Sequence, residues 1–97
     1  MQSSMERVKT ILKQYHVLKM QVKNHLGGER LKAEVEFIES SINALPEDDY
    51  KIFLAVFVEK KSIRSVAEGV FMSHSGLRYR MENTIKAIAG VYESAFL

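Results

Sequence analysis

Between Ser73 and Lys86 the chain carries Ser75, Tyr79, Glu82, Asn83 and Lys86 at spacings that collect on one side of a helix, with His74 at its N-terminal tip. At about 100° per residue, this holds once Leu77, Met81, Ile85 and Ile88 are set inward. These are groove-reading side chains. Arginine can donate two bonds to guanine, asparagine can pair with adenine, and serine or a helix N-terminus can hold a phosphate. Arg78 and Arg80 fall on the two flanks of the face, Glu82 lies within it, and the Ser73 hydroxyl is placed to cap the helix. The expected base readers are Ser75, Arg78, Tyr79 and Asn83, with His74 at the N-terminal tip. The phosphate backbone is assigned to Ser73, Arg80 and Lys86, together with Lys60, Lys61 and Arg64 from the segment before. A solvated face of an ordinary helical pair gives a similar pattern, and so does a protein-docking surface anchored on Tyr79.

The elements that must position these residues are two short apolar faces. Ile63, Val66, Ala67 and Val70 make one side of a two-turn helix, and Leu77, Met81, Ile85 and Ile88 recur by threes and fours on the next. A short helix, a tight turn and a longer helix form the grammar of a helix-turn-helix. In that motif the first helix crosses the phosphate backbone while its partner enters the groove, which is why Lys60, Lys61 and Arg64 are placed on phosphates. The net charge of +2 argues little by itself, but from Lys60 to Lys86 six basic residues stand against two acidic ones.

Upstream, Ser4 to Leu26 reads as one long amphipathic helix, capped by Ser3 or Ser4 and ended by Gly27-Gly28. A second helix, from about Glu29 to Asn43, carries Leu31, Val35, Ile38 and Ile42 as a heptad seam. The first helix is basic and the second acidic, so the two are expected to dock as an antiparallel hairpin. The seam residues Leu31, Val35, Ile38 and Ile42, with Leu12 and Leu18, are expected to form a homodimer interface, because two stripes offer more apolar surface than a small helix-turn-helix covers. Pro46 then breaks the chain, Glu47, Asp48 and Asp49 suit a new helix N-terminus, and Ile52, Phe53, Val56 and Phe57 give that helix its core face. The expected fold is all-α. Residues 1–45 form a helical hairpin for dimerisation or partner binding and residues 46–97 a helix-turn-helix unit with a long last helix, together one compact domain.

Other classes of function find little support. With no cysteine there is no disulfide framework or thiolate metal site, and His16, His25 and His74 lack ligand spacing. Gly27-Gly28 lacks the lysine and hydroxyl of a phosphate loop, and a helix N-terminus explains Asp48-Asp49 without chemistry. No enzyme activity, cofactor or metal is expected. Lysines at 9, 13, 19 and 23 interrupt any apolar run, so neither a secretory signal nor a membrane span is expected, and the location expected is the cytoplasm.

From Leu45 to Ile88 the sequence resembles region 4 of bacterial sigma factors and the related phage activators of the RinA and ArpU kind. The residues that carry the likeness are Leu45-Pro46-Glu47, the helix around Tyr50 to Val58, Lys60-Lys61-Ser62, Ile63 to Val70, and Ser73 to Met81. Weaker similarity to the RinA type extends over the N-terminal half. Two positions depart from the pattern: Phe71 stands where the turn usually has glycine, and Gly76 where the recognition helix often has threonine. Gly76 is read as letting the helix backbone come close to a partner. The resemblance implies a sequence-specific transcription regulator of phage or prophage type that binds double-stranded DNA and contacts RNA polymerase. The other class kept open is an interaction or assembly module, such as a phage packaging small subunit or a polymerase adaptor.

Overall fold

The computed structural model describes residues 3–97, and every regular element among them is helical. The order is α1 (Ser4–Lys13), α2 (Tyr15–Lys23), α3 (Gly28–Asn43), α4 (Glu47–Phe53) with a π-helical continuation (Leu54–Val58), α5 (Ile63–Gly69) and α6 (His74–Phe96). No helix among the described residues is long and apolar enough to cross a membrane.

Three helix starts follow directly from serine caps. Ser3, Ser62 and Ser73 each accept a bond from the backbone N–H three residues on, at Glu6, Ser65 and Gly76. The three acids Glu47, Asp48 and Asp49 occupy the first turn of α4, where the helix dipole favours them. Gly27 caps α3 with φ 86°, and a Cβ there would run into the Leu31 side chain, so only glycine fits that turn.

The expected first helix is instead two helices that break at Gln14, without proline or glycine. At the break the Lys13 carbonyl accepts from the Lys60 ammonium at 2.8 Å, a side-chain donor entering the helical ladder. The expected helix around Tyr50 to Val58 also changes character. The Glu59 N–H donates to the carbonyl of Leu54, five residues back, and Lys60 follows with φ 58°. That wider turn leaves Ile52 and Phe53 in the core but keeps Val56 and Phe57 only half-buried.

One core joins both halves of the chain. Val8, Ile11 and Leu12 of α1, Val35 and Ile38 of α3, Phe53 of α4 and Leu77 of α6 are its innermost side chains, and α1 packs most extensively against α6. This corrects the dimer interface expected from the seam. Leu12, Leu18, Leu31, Val35 and Ile38 are buried within a single chain, and Ile42 packs against the same core. The stripe packs mainly against α2 and α1, because burying it inside the chain needs no second copy. Charge complementarity between the first and second helices is met at Arg7–Glu34 and Lys19–Glu39. The first pair ties α3 to α1 and the second ties it to α2. Lys9 of α1 pairs with Glu82 of α6 instead.

Phe71, in the turn between α5 and α6, has φ 57° and is 96% exposed. A bulky residue in that conformation carries about 1–2 kcal/mol of backbone strain, and so exposed a ring returns little by packing. Phe71→Gly is therefore expected to raise unfolding stability by about 0.5–1 kcal/mol, once glycine's extra chain entropy is counted. Chemical denaturation checks it, and a loss of stability would show that the ring packs on something in solution.

Candidate nucleic-acid interface

The outward side of α6 is built from the inside. Leu77, Met81, Ile85, Ile88, Ala89 and Tyr92 are buried, which fixes the rotation of the helix and leaves His74, Ser75, Arg78, Tyr79, Asn83 and Lys86 exposed. None of these six side chains has a hydrogen-bond or ion-pair partner among the described residues. Tyr79 is 72% exposed. Below them α5 buries Val66 and Ala67 against the core and leaves Arg64 exposed, also without a partner among the described residues.

The six residues give the face a mixed inventory: a guanidinium, an ammonium, an amide, two hydroxyls and an imidazole. The first-turn N–H groups of His74 and Ser75 add donors, because the Ser73 cap takes the N–H of Gly76 and leaves those two open. Such a surface can hold phosphates and present planar donors to base edges. Glu82, in the middle of the face, is held by Lys9 at 3.0 Å, so its charge is partly compensated.

Four backbone assignments made from the sequence change here. Arg80 does not project with the reading face: its Nε donates to Asp49 Oδ1 at 2.7 Å, joining α6 to the start of α4, and that carboxylate raises the guanidinium above its ordinary value. The reason is angular, since five residues of helix carry Arg80 well round from Ser75. Lys60 is committed to the Lys13 carbonyl, and Lys61 lies 3.6 Å from Glu59. Ser73 is the cap of α6, its oxygen already accepting from Gly76. Gly76 also has an internal reason to be glycine: a Cβ would sit 2.8 Å from Ser73 Oγ and press on that cap. Arg80→Ala is expected to lower stability by up to about 1 kcal/mol, the range for a partly exposed ion pair, with base preference unchanged. A thermal melt beside a binding-site selection checks both halves.

The chain's most buried polar cluster lies elsewhere and was not foreseen. Glu34, 2% exposed, accepts from Arg7 Nε and Nη2 at 3.0 and 2.9 Å and from the Tyr92 hydroxyl at 2.5 Å, tying α3 to α1 and α6. The Arg7 bonds hold the Glu34 carboxyl below its ordinary range despite burial. A signal was present: Glu34 sits between Leu31 and Val35 on the inward stripe of α3, and Arg7 beside Val8 on that of α1. A second pairing, Lys19 with Glu39 at 2.7 Å and with the Tyr15 hydroxyl at 3.1 Å, raises the lysine above its ordinary value. No group of three or more metal-ligating side chains forms among the described residues.

Compared with protein-family models, with curated proteins and with solved structures, the chain matches none of them. The likeness to sigma region 4 therefore rests on the motif residues themselves.

Proposed function

We propose that the chain is a sequence-specific transcription regulator of phage or prophage type that binds double-stranded DNA. In this reading α5 and α6 act as a helix-turn-helix, with α6 entering the major groove from Ser73 onward. The observation that carries it is the unpartnered outer face of α6, where Ser75, Arg78, Tyr79 and Asn83 stand exposed on a helix fixed by a fully buried opposite side. Arg64, at the start of the crossing helix and without a side-chain partner among the described residues, is a cation available to a phosphate, with Lys86 further along α6. Since the Leu31 to Ile42 stripe is consumed by the core, the reading uses one chain as the reading unit.

Fluorescence anisotropy with a duplex, titrated at several salt concentrations, tests it. Arg64→Ala is expected to weaken binding to all sequences alike and to reduce the salt slope by about one. Lys61→Ala should change the slope less, because Glu59 already neutralises Lys61. Binding that is absent, or indifferent to salt, would contradict the reading. A protein-docking surface is the second reading, favoured by the exposure of Tyr79 and Phe71. It requires a Tyr79→Ala loss of partner binding with no DNA affinity to lose.

A further inference from the structure

Beside the outer face of α6 lies a groove of about 440 Å³, bounded by α1, the π-helical segment, α5 and α6. Its walls are apolar: Val56 and Phe57 from the π-helical turn, Ile63 at the start of α5, and Met81 and Ile85 from α6. Its rim is cationic, with Lys9, Lys13, Lys60 and Arg78 against a single acid, Glu82. Small-molecule sites have this construction, about 300–1,000 Å³ of mainly apolar wall with a few converging polar groups.

One irregular turn shapes this place. The π-helical turn supplies Val56 and Phe57, and Lys60, a non-glycine residue at φ 58°, closes the rim. Departures of both kinds concentrate at functional sites. The wide turn also explains why the two side chains line a groove: an α-helical continuation would carry them on along the buried stripe of Ile52 and Phe53.

The charges select the occupant. Lys9 and Glu82 compensate each other at 3.0 Å, and the Lys60 ammonium is bonded to the Lys13 carbonyl. The Lys13 ammonium and the Arg78 guanidinium have no partner among the described residues, so two uncompensated cations border an apolar hollow. We propose that this groove binds a small amphipathic carboxylate, its aliphatic or aromatic body against Phe57, Met81 and Ile85 and its carboxylate at the Lys13 and Arg78 rim. A neutral apolar molecule would leave both cations unanswered, and an organic cation would be repelled. The groove shares Arg78 with the outer face of α6, but its test contains no DNA, so its failure and that of the DNA reading are distinguishable.

Isothermal titration of the full chain with decanoate, decanol and decyltrimethylammonium compares one tail bearing three head groups. Decanoate is expected to saturate one site per chain, decanol to bind about tenfold more weakly, as for one lost charge-assisted hydrogen bond, and the cation not to bind. Lys13→Glu lies on the exposed end of α1, outside the core, and is expected to weaken decanoate about tenfold while leaving decanol unchanged. With the unaltered chain, decanoate should shift the methyl resonances of Ile63, Met81 and Ile85 before those of Leu31 or Val35. The proposal is overturned by equal affinity for all three probes, by no saturation up to about 1 mM decanoate, or by an unchanged decanoate affinity in Lys13→Glu. A dimer in sedimentation that protects the Ile63 and Ile85 methyls would also overturn it, by making a second copy the occupant.

Discussion

Glu34→Ala is expected to lower the unfolding free energy by about 3 kcal/mol, the lower end of the range for removing one member of a buried ion pair. The loss has two parts. Tyr92 is left with a buried hydroxyl whose strongest acceptor is gone, while Arg7, still about a third exposed, can turn to water and limits the damage. Arg30, 3.4 Å from the same hydroxyl and stacked over Phe96 at 5.5 Å, is a donor and cannot take the carboxylate's place. Urea denaturation of the variant measures the loss, and a change within about 0.5 kcal/mol, the range of ordinary surface substitutions, would show that the network contributes little.

The same group sets an acid limit. The folded-state value of Glu34 lies below its unfolded one, so its contribution is fully present above the unfolded value and disappears as the pH falls through the folded value. Stability should therefore drop through the acid side of the carboxylate range. Glu34→Gln, similar in shape but without the charge, should be less stable near neutral pH and show a shallower acid loss. Parallel denaturation curves for the two proteins across that range would contradict the assignment.

The second large effect is on specificity. Arg78→Ala is expected to relax preference at one base pair by about 1–3 kcal/mol, the worth of a two-pronged contact to guanine, while other positions of the site keep their preference. A phosphate contact in the same place would weaken every sequence equally, and a docking surface would leave the DNA profile unchanged. Binding-site selection with each protein separates these three outcomes.

What the sequence made legible was periodic and local. The spacing of Leu77, Met81, Ile85 and Ile88 set the rotation of α6, so the exposure of Ser75, Arg78, Tyr79 and Asn83 followed from the pattern, as did the serine cap at Ser73. Long side chains were less legible. Whether Arg80 meets solvent or Asp49 depends on where α4 lies, and whether Lys60 reaches the Lys13 carbonyl depends on how α1 and the π-helical turn approach each other. The break at Gln14 belongs with these, since the Lys13 carbonyl beside it accepts from a residue far along the chain. The Leu31, Val35 and Ile38 stripe shows the same limit: periodicity established that it is buried, and only the tertiary arrangement established that its cover is α1 and α2 of the same chain.

Selection of the unaltered protein against a random duplex library, at low and then physiological salt, measures the central claim most directly. One enriched motif containing a guanine position is expected, with affinity for it and for random duplex falling together as salt rises and the ratio between them persisting. Recovery of a library no different from the input, at a salt concentration where the protein is folded, would contradict it.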